Sequence, residues 1–352
     1  MNSPKHTASE NILLEISRNL SNAHGFVKQL PGNFNGATAS ECVASISSAK
    51  LYYYPGKSEH QCKTPLLIIY ALVNRPYMLD LEPGRSFIAN LLEEGLPVYL
   101  LDWGYPDVTD QFLSLHDYIF DFIDEAVDQV TTHSGKQSIN LLGVCQGGTL
   151  SLCYSAARKE KVRTLITTVT PVDFHTPDNL LTAWFKDVDV KSLASACGNV
   201  PGNFLNWVFV SLKPFTLGAG KYVDMLSHAQ DQEKLSTFLN MERWILDSPD
   251  QAGNAFCEFV SEFYQKNALV KGQLNIGGES IQLSNIDQPV LNIYALQDHL
   301  VPRSASTVLG GLVHSADYSE EAIDAGHIGL FTSRKKCAEV AKTIGTWLKE
   351  RD

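Results

Sequence analysis

From residue 50 to residue 170, short apolar runs rich in β-branched side chains alternate with longer stretches whose apolar positions recur every three or four residues. Residues 51–54, 66–70, 98–102, 138–142 and 164–169 predict strands. Each is too short for a helix and apolar along nearly its whole length, the pattern of a strand covered on both faces. Residues 85–94 predict a helix, and 114–130 predict another because Leu115, Ile119, Phe122, Ala126 and Val130 fall on one helical stripe. Strands alternating with helices pack as βαβ units, so the chain reads as an α/β fold with a mainly parallel sheet flanked by helices.

The pattern breaks after Pro171. From 176 to 283 the chain is rich in aromatic residues, among them Trp184, Phe204, Trp207, Phe209, Phe215, Trp244 and Phe259, and shows no run with the character of a buried strand. A strand pattern returns at 289–295, and an amphipathic helix over 337–348 closes the chain. The expected organisation is a core of 46–175 and 284–352, an inserted, mostly helical cap of 176–283, and a segment of 1–45 with a weak helical pattern before a Gly/Asn loop at 31–36.

Composition changes the picture mainly by exclusion. Of 352 residues, 44% are hydrophobic and 19% charged, enough apolar material for a core with one large insertion. The net charge of −11, with no Lys/Arg cluster, argues against nucleic acid or anionic lipid as the main partner, since phosphate binding needs local positive charge. No stretch approaches the roughly 20 apolar residues of a spanning helix. Lys5, His6, Glu10, Glu15 and Arg18 interrupt the N-terminal apolar residues where a signal peptide would be continuous, so a cytoplasmic location is expected. Seven cysteines without CxxC spacing point to neither a disulfide framework nor a zinc site, and most are expected to be small buried hydrophobes.

Cys145 is the exception. Residues 138–142 lead into Gly143-Val144-Cys145-Gln146-Gly147, and a helix follows near Thr149. This is the G-x-C-x-G form of a nucleophile elbow, a strained strand-to-helix turn that needs small residues two positions either side of the nucleophile. The following helix aims its positive end at the thiol, favouring a thiolate, and offers the Gln146 N–H as an oxyanion donor. Taken alone, the run also fits a Gly-rich connection holding a buried cysteine.

Two later elements complete a set. Asp298 follows the strand at 289–295 and precedes Pro302; His327 lies between Gly326 and Gly329 ahead of the last helix. Nucleophile, acid, histidine is the chain order of α/β-hydrolases. His299 adjoins the acid, but neighbouring side chains on a sharp turn diverge, so His327 is the expected base. The loop after the strand at 66–70 is where that fold places its second oxyanion donor, which makes the Val73 N–H the candidate. Asp102-Trp103-Gly104 reads as shaping the site, and His175 and His228 as structural or solvated.

Beyond the triad, longer runs resemble the catalytic subunit of class III polyhydroxyalkanoate synthases, within the α/β-hydrolase superfamily. They are Leu72-Val73-Asn74-Arg75-Pro76 with the residues on to Leu81, the elbow, Val169-Thr170-Pro171-Val172-Asp173-Phe174, Leu205-Asn206-Trp207, residues 247–253, and residues 295–302. The resemblance runs from about residue 50 to the end. It implies a (R)-3-hydroxyacyl-CoA substrate, expected to be 3-hydroxybutyryl-CoA, transferred to Cys145 and then to a growing polyester with release of CoA. It also implies work at a granule surface with a second, non-homologous subunit of PhaE type. A homodimer is a further expectation, and no cofactor is expected because the CoA thioester is itself the substrate. A cysteine thioesterase or other hydrolase could use the same triad, and a granule-surface protein without catalysis is the third reading. Product distinguishes the first from a polymerase, and the Cys145→Ala variant distinguishes the second.

Overall fold

The alternating pattern folds into one eight-stranded sheet in a computed structural model that describes residues 36–56, 62–212 and 231–352. Its strands are β1 (Glu41–Ile46), β2 (Ala49–Tyr54), β3 (Leu66–Ile69), β4 (Val98–Asp102), β5 (Ile139–Val144), β6 (Val162–Thr168), β7 (Val290–Ala295) and β8 (Tyr318–Ile323). They lie in the order β1-β2-β4-β3-β5-β6-β7-β8. β2 is antiparallel to both neighbours and every other pairing is parallel.

Alternation of side chains explains why the central strands are apolar throughout. Leu66 and Ile68 of β3, Leu142 of β5 and Ile166 of β6 face one apolar layer. That layer also holds helix α1 (Phe87–Glu93) and the last helix of the chain. Leu67 and Ile69 of β3, Leu141 of β5 and Leu165 of β6 face the other, against α2 (Ile123–Ser134) and α3 (Gln146–Ala157). Both faces are buried, so no polar alternation survives in these strands.

The helices start slightly differently from the predicted ones. Arg85 and Ser86 form a short strand pair with Asp80–Glu82, and α1 begins only at Phe87, where the Ser86 hydroxyl accepts the Ala89 N–H at 2.8 Å. The predicted helix of 114–130 opens with a π-turn over Asp117–Phe122 before α2.

Two strands escaped the sequence pattern. β1 begins at Glu41, inside the segment read as weakly helical, and β8 carries Glu320 and Glu321. Both are edge strands with mostly exposed or half-exposed residues, so neither shows an apolar run. The earlier residues, 1–35, lie outside the described residues, as do Phe215 and His228.

Between β6 and β7 the described residues form α4 (Leu180–Phe185), α5 (Val190–Cys197), α6 (Gly202–Leu212), α7 (Gln232–Leu246) and α8 (Gly253–Phe259). Asn179, Asp189 and Asp231 cap α4, α5 and α7, each accepting a backbone N–H three residues on. Leu181, Phe185, Val190, Val208 and Val260 give this insertion a small apolar cluster of its own. It also holds one hairpin that the sequence did not show, Leu274–Ile276 with Glu279–Ile281, whose strands are too short to register as apolar runs. Helix α9 (Arg334–Lys349) closes the chain against α1.

Candidate active site

Cys145 sits where β5 turns into α3, at φ +54° and ψ −125°. L residues rarely adopt that conformation, so the surroundings must impose it. They do so by close packing. A Cβ on Gly147 would collide with the backbone of Ile69 and Tyr70, and one on Gly143 with the Cα of Gly148. The Cys145 N–H donates to Thr168 O at 2.9 Å, and the Gly148 N–H donates to Cys145 O at 2.9 Å. The side chain is left at the C-terminal edge of the sheet, over the first turn of α3.

Asp298 follows β7 and His327 follows β8; the structure pairs the two and sets His327 in one pocket with Cys145. His327 Nδ1 lies 2.7 Å from Asp298 Oδ2. The other carboxylate oxygen, Oδ1, accepts the N–H groups of Leu300 at 2.8 Å and Val301 at 3.0 Å. The Asp298 side chain is fully buried, and that of His327 is 6% exposed. Burial opposes charge on the imidazole, but the neighbouring Asp298 and Cys145 outweigh it and hold the His327 pKa well above its usual range. His299 lines the same pocket, and the imidazole at Asp298 Oδ2 is that of His327.

The expected oxyanion donors also meet at the pocket. Gln146 and Val73 line it beside Cys145. Neither N–H takes part in the hydrogen bonds found among the described residues. The preceding N–H, of Leu72, is occupied: it donates to the Gln146 side-chain Oε1 at 3.0 Å. Asp102 pairs with Arg75 at 2.7 Å, and the Trp103 indole N–H donates to Tyr70 O at 2.9 Å, so these residues brace the loop after β3 from below. His175 is exposed, its Nε2 lying 2.8 Å from Tyr264 O.

The pocket has a volume of about 250 Å³. The core contributes Tyr70, Cys145 and His327; the insertion contributes Leu181, Phe185, Leu205, Phe209, Phe256 and Phe259. No Asp, Glu, Lys or Arg is among its described lining residues. Burial, and then the neighbouring Cys145, push the phenols of Tyr70 and Tyr264 upward, so both stay protonated. Asn206 and Gln251 fall in runs that the sequence marked only by resemblance, with no role attached, and Tyr264 was not singled out at all. They lie in the insertion, where no short motif marks a pocket-facing side.

Among the described residues, only His116, Asp117 and Asp121 bring three metal-type ligand atoms within 4.8 Å of one another, and they lie outside this pocket. All seven cysteines are free. Only Cys62, Cys153 and Cys337 are buried, whereas Cys42 and Cys197 are exposed, contrary to the expectation that most would be core residues. Burial pushes the Cys62 thiol up to about 11 and the Cys337 thiol up to about 12.

The sheet order, the elbow and the placing of acid and histidine after β7 and β8 define an α/β-hydrolase-type protein. The family described as "alpha/beta hydrolase fold" matches residues 64–333. The monoacylglycerol lipase of Paleococcus ferrophilus superposes with a TM-score of 0.52 at 16% identity, covering 86% of this chain and 99% of the other. That likeness is one of fold alone. The family described as "Poly-beta-hydroxybutyrate polymerase (PhaC) N-terminus" matches residues 31–91. The poly(3-hydroxyalkanoate) polymerase subunit PhaC of Allochromatium vinosum is 49% identical over 341 residues, 96% of each chain. The protein of the same name from Thiocystis violacea is 50% identical over 318 residues, 90% of this chain and 89% of the other. The chain belongs to the poly(3-hydroxyalkanoate) polymerase subunit family.

Proposed function

We propose that the chain polymerises 3-hydroxyacyl-CoA, with 3-hydroxybutyryl-CoA as the expected substrate, through an acyl-thioester on Cys145. The observation that carries the reading is a cysteine that shares with a buried His327–Asp298 pair a pocket lined by no Asp, Glu, Lys or Arg among the described residues. Such a pocket suits an acyl chain or a polyester and offers nothing to the phosphates of CoA, which would stay at its mouth.

His327, whose pKa is raised, holds the proton that Cys145 gives up, and the thiolate attacks the thioester carbonyl. The oxyanion is held by the Gln146 and Val73 N–H groups. As the tetrahedral adduct collapses, the carbon–sulfur bond to CoA breaks and His327 returns the proton to the CoA thiolate. A hydroxyl, from the chain end or the next unit, then gives its proton to His327 and attacks the Cys145 thioester. The new ester bond forms, the Cys145 carbon–sulfur bond breaks, and the thiol recovers its proton. One thioester for another costs little, so the acyl-enzyme keeps the activation that drives ester formation.

Asp298 either orients His327 or activates the substrate hydroxyl. Both its oxygens are already engaged and its side chain is buried, which supports orientation. The insertion serves as the lid that excludes water, since hydrolysis of the acyl-enzyme would release free acid. No cofactor is needed for any step. A second subunit of PhaE type, a homodimer and attachment to the polyester granule are parts of the same reading. Exposed Trp184 and Trp207, ring to ring at 6.4 Å on the insertion, are surface for such contacts. Among the described residues no helix is long and apolar enough to cross a membrane.

The test is CoA release from 3-hydroxybutyryl-CoA, followed with a thiol reagent and paired with recovery of insoluble polyester, with and without the partner subunit. Polymer that depends on Cys145 is the expected result. Free 3-hydroxy acid without polymer, even with the partner present, would make the protein a thioesterase. Granule attachment that survives Cys145→Ala with no CoA release from the wild type would make it a surface protein.

A further inference from the structure

We infer that Gln251, a residue of the insertion, positions the second oxyanion donor, so that Cys145 can be acylated only when the insertion is seated on the loop after β3. The inference rests on the reading of Cys145 as nucleophile and of the Val73 N–H as donor. Its starting point is the Leu72 residue, held from two directions. The Leu72 N–H donates to Gln146 Oε1 at 3.0 Å, and the Leu72 carbonyl accepts from Gln251 Nε2 at 2.8 Å. In a trans peptide the carbonyl of one residue and the N–H of the next point in opposite directions. A grip on the Leu72 carbonyl therefore sets the direction of the Val73 N–H, which has no partner among the described residues and lies on the pocket wall with Cys145.

Gln251 owes its own position to the insertion. It is 6% exposed, and its N–H and carbonyl both bond to Val200 at 2.8 Å. Its neighbour Asp250 accepts the Gly202 N–H at 3.0 Å. Two more bonds tie the same loop to the insertion. Asn74, at φ +63°, donates to Ser248 Oγ at 2.6 Å, and the Trp244 indole donates to Arg75 O at 2.7 Å. The loop that presents Val73 thus hangs from the insertion by three successive contacts, of which Gln251 holds the peptide that aims the donor.

A positioning role of this kind affects one type of reaction at Cys145 and spares another. Acylation by a thioester builds negative charge on the carbonyl oxygen and needs the donor. Alkylation by iodoacetamide displaces iodide at a saturated carbon and forms no oxyanion. Gln251→Glu keeps the shape and turns an acceptor toward the Leu72 carbonyl; Gln251→Met keeps the length and removes the donor. In both, single-turnover CoA release from 3-hydroxybutyryl-CoA should fall about 10²-fold. Alkylation of Cys145, read by peptide mass mapping because Cys42 and Cys197 are also exposed, should keep the wild-type rate. Acylation at the wild-type rate, or an equal loss in both reactions, overturns the assignment to Gln251 alone. A wild type that is alkylated but releases no CoA overturns the polymerase reading, and this inference with it.

Discussion

In the core, Cys145, Asp298 and His327 stand at the ends of β5, β7 and β8, and backbone hydrogen bonds place the turns that carry them. The Cys145 N–H is held by Thr168 O, and the Gln297 N–H by Ala325 O at 3.0 Å. The insertion is held to the core largely by its side chains. Phe174, at the seam, meets Phe259, Phe263 and Tyr264 with ring centroids 4.9–5.9 Å apart, and a few polar hooks such as Trp244 and Gln251 do the rest. Topology therefore places Cys145, Asp298 and His327, while side-chain packing sets what surrounds them. Substitutions in the first region should change rate at nearly constant stability; those in the second should change stability and the fate of the acyl-enzyme together.

The sharpest separation comes from Cys145→Ala. CoA release should fall by on the order of 10⁴-fold or more, because the proposed nucleophile is gone while binding remains. Thermal unfolding should stay near that of the wild type, since the thiol is only half-buried. A large fall in melting temperature would break the claim that the core chemistry is separable from the fold. Asp298→Asn comes next. An amide cannot accept from the Leu300 and Val301 N–H groups and also from His327 Nδ1, so the imidazole loses its tautomer or the turn loses its bonds. The expected loss in kcat is on the order of 10³- to 10⁴-fold.

The core was legible in the sequence for the same reason that it is rigid. A parallel strand covered on both faces leaves an unbroken apolar run, and the elbow needs Gly143 and Gly147 at fixed offsets from Cys145. β1 and β8 were not legible because edge strands keep polar residues on exposed positions, as Glu320 and Glu321 do. The insertion was legible only as a composition. Its aromatic residues announce a packed helical layer, but which of them face the pocket depends on tertiary contacts with no local period. Gln251 shows the same limit: its run, 247–253, stands out only by resemblance, and its contact with Leu72, far off in sequence, has no local signal.

Phe174→Ala addresses the seam. Phe174 is fully buried among the rings of α8 and the turn that follows it. Its truncation should cost about 3 to 5 kcal/mol of stability through the cavity it leaves. Because that cavity opens the joint between core and insertion, the fraction of acyl-enzyme lost as free 3-hydroxy acid should rise relative to polymer. Reduced stability with an unchanged acid-to-polymer ratio would mean that the insertion does not keep water from the thioester.

The smallest effect is a pH dependence that belongs to the core alone. His327 has a folded-state pKa well above the unfolded value of about 6.5, with burial outweighed by Asp298 and Cys145. A raised pKa stabilises the fold fully below the unfolded value and loses that contribution as pH climbs through the folded one. The melting-temperature advantage of the wild type over His327→Gln should therefore be largest near pH 6.5 and shrink toward alkaline pH. In a Cys145→Ala background one of the two supporting partners is absent, so the decline should be complete at lower pH. The difference between wild type and Phe174→Ala should carry no such slope, since no titrating group is removed. An advantage over His327→Gln that grows with pH would reverse the sign of the coupling and show that His327 is held neutral in the resting site.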